Sequence, residues 1–227
     1  MGLHAERMAR FGESGLYVVI TQAHCAGRDP LDVLDKVLSA GVKLVQLREK
    51  ELNGRSLYER ALAFRDRTAR AGALLIVNDR LDIAMAAGAD GVHLGLDDLP
   101  VTAARKLAAD LVIGASTHSL SEALSAQDAG ASYVNIGPVF TTQTKSVSTG
   151  PVGPKMLDAI RPHLCIPWTT MGGIKPGNIQ QVLDRSAGHV AVVTAVTAAE
   201  DVRAAASQLD SMIQTARASA KPGSQPS

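Results

Sequence analysis

The chain has 227 residues, of which 46% are hydrophobic and 20% charged, with a formal net charge of +1. That suits one globular domain, or at most two small ones, with a sizeable core, and a charge so near zero argues against a nucleic-acid or membrane-surface partner. Aromatic residues are only 3%, too few for a base-stacking platform, so aliphatic and small side chains carry the packing.

Residues 1–14 contain no apolar h-region, and Glu6 stands where a myristoylation signal needs Ser or Thr, so they are read as an N-terminal extension. From residue 15 to 218 an apolar strand, a short loop and a helix recur. LYVVIT (16–21) is the first strand, and DPLDVLDKVLSAG (29–41) is its helix, with Asp29 as N-cap, Pro30 in the first turn and Gly41 as stop. VKLVQLRE (42–49) and a helix over 56–72 follow, then ALLIVN (73–78) with a short helix over 81–88, and DGVHLG (90–95) with a helix over 100–109. LVIGAS (111–116) leads to a helix over 120–130, and SYVNIG (132–137) to a longer loop and a helix over 154–162. IPWTTMGG (166–173) is the seventh strand with its loop, followed by a helix over 178–185, and HVAVVTAV (189–196) is the eighth, closed by a helix over 199–218. The small polar tail, 219–227, is expected to be disordered.

Eight near-continuously apolar strands alternating with helices predict a single-domain α/β fold, a (β/α)8 TIM barrel of parallel strands covered on both faces. A doubly wound open sheet is the runner-up, but its Gly-rich first turn is missing from VITQAHCAGRD. No apolar run approaches the roughly 18 residues of a membrane span. Cys25 and Cys165 lie far apart without metal-site spacing, which reads as free thiols in a reducing compartment and a cytoplasmic location.

On this fold chemistry sits at the C-terminal strand ends, and the polar residues fall there. The second strand ends in Gln46, Arg48 and Lys50, the third in Asn78 and Asp79, and the loop after the fourth holds Asp97 and Asp98. Ser116 ends the fifth, GPVFTTQTK after the sixth holds Thr142, Thr144 and Lys145, MGGI after the seventh holds Gly172 and Gly173, and Thr194 lies at the eighth. Each has a plainer reading. Asp79 and Asp98 are each placed to cap the helix that follows, Arg48 and Lys50 to be solvated loop charges, TTQTK to be an exposed turn, and the glycines to make a simple turn. Taken together, two carboxylates on neighbouring strand ends suit magnesium, and the cations, hydroxyls and bare glycine amides suit phosphate oxygens. The residues alone point to a barrel enzyme for a phosphorylated or diphosphorylated small molecule, assisted by a divalent cation.

The stretches VQLREK (45–50), VNDRLDIAMAAGADGVHLGLDDLP (77–100), IGASTHS (113–119), GPVFTTQTK (137–145) and MGGI (171–174) resemble the thiamine-phosphate synthase family. The resemblance implies a transferase that joins an aminopyrimidine diphosphate to a thiazole phosphate, releasing pyrophosphate through a pyrimidine-methyl cation. It implies that Arg48, Lys50, Asn78 and Lys145 hold the diphosphate and that Asp79 and Asp98 bind Mg2+. It further implies that Gln46 and Ser116 contact the pyrimidine, and that Thr142, Thr144, Gly173 and the backbone at Val193 and Thr194 hold the thiazole phosphate. Small-molecule substrates are thus the expected partners, with neither nucleic acid nor membrane; a homo-oligomer stays open. The family pattern is broken by Leu96, where Gln is usual, by Thr194, where Ser is frequent, and by a short loop after Lys145.

Three rivals are weighed. A thiazole tautomerase on the same fold needs a general base, and His118 lies where it would fall, although His118 also reads as a helix-start residue. A silent phosphate-binding relative would have lost part of the metal and diphosphate set. A Schiff-base aldolase would need Lys50 or Lys145 in an apolar pocket, and both lie in polar stretches.

Overall fold

The computed structural model describes residues 2–142 and 150–219. Eight parallel strands close into a barrel in sequence order: β1 (Leu16–Ile20), β2 (Leu44–Leu47), β3 (Leu74–Asn78), β4 (Gly91–Leu94), β5 (Val112–Thr117), β6 (Tyr133–Ile136), β7 (Trp168–Thr170) and β8 (Val190–Val192). Closure is direct, with Leu16 of β1 in register with Val190 of β8. The expected (β/α)8 barrel is therefore the fold.

Alternation along each strand makes two apolar layers, as a sheet covered on both faces requires. One set, including Val18, Val45, Leu75, Val92 and Ile113, faces the outer helices. The other fills the barrel lumen with Tyr17, Leu44, Leu74, Ile76, Val112, Tyr133 and Ala191.

The outer helices start where local chemistry places them. In α2 (Pro30–Ser39) the Asp29 carboxylate accepts from the Leu31 amide at 2.7 Å, with Pro30 in the first turn. In α3 (Gly54–Arg70) Asn53 accepts from the Ser56 amide at 3.0 Å. Before β1 lies α1 (Leu3–Glu13), an element that the sequence pattern leaves unassigned. It packs beneath the barrel and inserts Phe11 into the lumen, where its ring stacks on Tyr133 at 4.7 Å between centroids. The same end is tied by charge. Buried Asp90, just before β4, is approached by Arg7 at 3.4 Å and Arg65 at 2.8 Å, and it accepts from the Leu75 amide at 2.9 Å.

The remaining helices are α4 (Leu81–Ala86), α5 (Val101–Leu107), α6 (Leu120–Asp128), α7 (Lys155–Ile160), α8 (Gln180–Leu183), α9 (Thr194–Thr197) and α10 (Val202–Ser219). The apolar run 189–196 is not all strand: β8 stops at Val192, and Thr194–Thr197 turns into the short helix α9. Val192 in the strand and Val196 in the helix are both buried, so burial alone could not locate the break. Cys25 is a buried free thiol, pushed up to about 11 by burial, and Cys165 is a free thiol on the surface. Among the described residues no helix is long and apolar enough to cross a membrane.

Candidate active site

At the C-terminal ends of the strands the barrel opens into a cavity of about 570 Å³, a size typical of small-molecule sites. Gln46, Arg48, Lys50, Asn78, Asp79, Asp98, Ser116, Thr142, Gly173, Val193 and Thr194 all line it. Thr144 and Lys145, the other two residues expected at the site, lie outside the described residues.

The turn after β3 explains why a buried strand ends in Asn78 and Asp79. Asp79 adopts a left-handed backbone, φ 61°, a conformation that Asp tolerates better than most non-glycine residues. Its amide still donates to the His93 carbonyl at 2.8 Å, so the sheet ladder runs one residue past the strand. Asp79 does not cap α4. The cap position is Arg80, with no side-chain bond to the helix, and the Asp79 carboxylate instead meets the Lys50 ammonium at 3.0 Å.

Asp98 does not cap α5 either; the N-cap position of that helix is Pro100, with no side-chain cap. Its carboxylate folds back to accept the Gly95 amide at 2.7 Å, which brings it beside Asp79. Partial burial, and then the Asp79 carboxylate, raise its pKa above the ordinary value, against the opposing pull of the Gly95 amide and Lys50. Two carboxylates side by side, with Lys50 the one ammonium paired to either of them among the described residues, are under-neutralised. Among the described residues no group of three or more His, Cys, Asp and Glu side chains forms a metal-binding cluster. A two-carboxylate donor set leaves coordination positions for substrate oxygens and water, which fits Mg2+ and not a structural zinc.

The opposite wall is built on glycine. Gly172 and Gly173, after β7, have φ of 103° and 64°. A Cβ on Gly172 would overlap Pro138, and one on Gly173 would overlap the Thr141 carbonyl and crowd Phe140. The loop after β6 thus lies flush on the loop after β7, held by the Val139 amide on the Met171 carbonyl at 2.9 Å and the Phe140 amide on the Gly172 carbonyl at 3.0 Å. This closeness brings Thr142 and Gly173 onto one wall beside Val193 and Thr194.

His118 is tethered. Glu122 accepts from its backbone amide at 2.8 Å and pairs with its Nδ1 at 3.0 Å, while Ser119 caps α6 by accepting from the Glu122 amide at 3.2 Å. This is helix-start chemistry that also fixes an imidazole at the cavity edge.

Sequence reasoning passed over several lining residues: Tyr17, Thr21, His24, His93, Asn135 and Lys175. His24 and Lys175 lie in rim loops, and the position of those loops after β1 and β7 was the available signal. Tyr17, His93 and Asn135 lie within strands. Their polar atoms inside otherwise apolar runs, at inward parity with Gln46 and Ser116, were the signal for them.

Residues 16–196 match the family model described as Thiamine monophosphate synthase. The chain is 46% identical over 198 residues to the thiamine-phosphate synthase of Chloroflexus aurantiacus, covering 87% of this chain and 92% of that protein. It is 42% identical over 215 residues to the thiamine-phosphate synthase of Haloquadratum walsbyi, covering 93% and 96%. Among solved structures, thiamine phosphate pyrophosphorylase from Pyrococcus furiosus superposes with a TM-score of 0.83 at 35% identity, over 92% of this chain and 98% of that one.

Proposed function

The chain belongs to the thiamine monophosphate synthase family, and we propose that its barrel mouth performs that family's coupling with the residue roles given below. The activity is that of a thiamine-phosphate synthase, a transferase that moves the pyrimidinylmethyl group of an aminopyrimidine diphosphate onto the ring nitrogen of a thiazole phosphate and releases pyrophosphate. Both substrates are small molecules carrying phosphate groups.

Arg48, Lys50 and Asn78 bind the diphosphate, and Lys145 completes this set. Asp79 and Asp98 would hold Mg2+, which when bound supplies charge to neutralise the diphosphate oxygens. The bond between the pyrimidine methylene and its oxygen breaks, and its electron pair leaves with pyrophosphate. The thiazole nitrogen lone pair then forms the new carbon–nitrogen bond, giving the thiazolium without any proton transfer. What the protein must stabilise is the negative charge growing on the leaving group. Fixed cations aimed there in a walled cavity act more strongly than the same charges in water. Gln46 and Ser116 orient the pyrimidine. Thr142, Thr144, Gly173 and the backbone at Val193 and Thr194 seat the thiazole phosphate, so capture proceeds between two already bound partners.

The observation that carries this reading is the Lys50, Asp79 and Asp98 group. It combines a salt bridge and a repelling carboxylate pair at the mouth of a cavity, an arrangement better suited to a cation and a diphosphate than to folding. The test is a coupling assay on the purified protein with both substrates and Mg2+, repeated in EDTA. Thiamine phosphate and pyrophosphate in equal amounts, lost in EDTA, are the expected result. Absence of product with intact binding of the thiazole phosphate would defeat the assignment and turn attention to His118 as the base of a tautomerase.

A further inference from the structure

A chain of hydrogen bonds crosses the barrel lumen at the cavity floor. The Gln46 Nε2 donates to the Tyr17 hydroxyl at 2.6 Å, and Tyr17 meets the Tyr133 hydroxyl at 3.1 Å. Tyr133 meets the His93 Nδ1 at 2.9 Å, and the His93 Nε2 meets the Ser116 hydroxyl at 3.0 Å. The chain begins on β2 and ends on β5, and both end residues line the cavity.

With the Gln46 amide oriented so that Nε2 faces Tyr17, counting protons sets the polarity of the rest. The Tyr17 oxygen accepts from the Gln46 amide, so its single proton goes to Tyr133. Tyr133 then donates to Nδ1 of His93, which places the imidazole proton on Nε2, and Nε2 donates to the Ser116 oxygen. The Ser116 proton is left to point at the ligand, and the Gln46 carbonyl oxygen is the acceptor left for it, beside the second N–H of the amide. Reversing the Gln46 amide would reverse every bond, so the two ends always carry opposite roles.

We propose that Tyr17, Tyr133 and His93 are positioning residues for the substrate heterocycle, fixing Ser116 as a hydrogen-bond donor and Gln46 as an acceptor toward it. This rests on the reading above, in which those two residues meet the pyrimidine. The chemistry it selects is a ring with an amino group at one edge and a bare ring nitrogen at another.

Three features mark the chain as built for this arrangement. Gly114 on β5 makes room for it, because a Cβ there would overlap the Tyr133 phenol and the His93 ring. Phe11 stacks on Tyr133 from below and Tyr17 meets it edge-on at 6.3 Å between centroids, so the central ring is clamped. Burial pushes both phenols well above their ordinary pKa, which keeps both protons in place.

The test is a double-mutant cycle of Tyr133→Phe and Ser116→Ala, read as KM for each substrate and kcat. Tyr133→Phe is expected to raise KM for the aminopyrimidine diphosphate about tenfold while KM for the thiazole phosphate moves less than about twofold. In the Ser116→Ala background the same substitution is expected to add less than about twofold, because it acts through Ser116. Equal factors in both backgrounds would overturn the proposal and leave the coupling function standing. A second measurement needs no variant. The 15N shifts of the His93 ring in labelled wild-type protein should show a protonated Nε2 and a bare Nδ1, and a protonated Nδ1 would overturn the polarity. A wild type that makes no thiamine phosphate would instead defeat the site reading, and with it the pyrimidine as the positioned ligand.

Discussion

Asp98→Asn separates the cost of the carboxylate pair from its use. Two like unit charges at about 4 Å repel by about 4 kcal/mol at an effective dielectric of about 20, which sets the upper scale for the Asp79–Asp98 pair. Lys50 sits 3.0 Å from Asp79, and the Asp98 side chain is partly open to water, so screening reduces the net cost to about 1 kcal/mol. Asparagine keeps an acceptor for the Gly95 amide and removes the charge. The metal-free variant should therefore be more stable than wild type, by about 2–4 °C in melting temperature for a chain of this size. The assay is thermal unfolding in EDTA, then with Mg2+ and the aminopyrimidine diphosphate at about 100 times Kd, where binding to the folded state contributes about 2.7 kcal/mol. Wild type should gain that increment and the variant should lose most of it, so the two melting temperatures cross. The pH dependence carries the same sign. A folded-state pKa above the ordinary carboxylate value means that Asp98 costs stability at neutral pH, a cost relieved as pH falls through that raised pKa. The variant's advantage in EDTA should shrink on acidification. A variant that melts lower than wild type in EDTA would show the carboxylate to be a loop anchor and refute the argument.

Lys50→Ala should lower kcat of the coupling reaction roughly 100-fold, the scale of one lost electrostatic contact to developing charge, checked by thiamine phosphate formation at saturating substrates. His118→Ala should retain coupling activity to well within the roughly 100-fold that a general base contributes, and a loss on that scale would favour the tautomerase reading. His189, at the bottom of the barrel, is pushed down to about 4, first by burial and then by Arg217, and its Nδ1 has no partner among the described residues. The folded state therefore resists a proton that the unfolded chain accepts at 6.5, so stability is full above 6.5 and is lost as pH falls toward 4. Up to about 3 kcal/mol is at stake, and His189→Leu should flatten that part of the profile in chemical denaturation measured across the window.

Burial and charge placement left different traces in the sequence. The strands could be read because parallel strands covered on both faces are near-continuously apolar, and the helix starts at Asp29 and Pro30 because a cap and a proline act locally. The end of β8 could not be read, since Val192, Val193 and Val196 serve equally well in a strand or in the first turn of α9. Helix α1 was missed because its apolar residues are few and its docking depends on Phe11 entering the lumen and Arg7 reaching Asp90, contacts that exist only once the barrel has closed. At the site, the charged rim was legible because Lys50, Asp79 and Asp98 interrupt apolar runs. Whether the two aspartates cap helices was not legible: Asp79 is diverted by a left-handed backbone and Asp98 by the Gly95 amide. The inner chain was hidden for a further reason. A tyrosine or histidine in a strand reads as ordinary core, and only the register that sets Gly114 between His93 and Tyr133 brings their polar atoms into contact.

That register also explains how one small barrel sustains a strained mouth. The repelling carboxylates and the left-handed Asp79 destabilise the top of the structure. At the other end, Asp90 is buried against Arg7 and Arg65, and α1 closes the lumen with Phe11. Tyr133 belongs to both regions: its ring face lies on Phe11 and its hydroxyl lies in the chain that ends at Ser116. The clamp that packs the lower lumen is thus the same one that holds the central phenol of the positioning chain. Loosening α1 should disturb the orientation of the heterocycle before it disturbs the proposed diphosphate cage, because the described members of that cage lie at the C-terminal end of β3 and in the loops after β2, β3 and β4, outside the apolar cluster that holds Phe11.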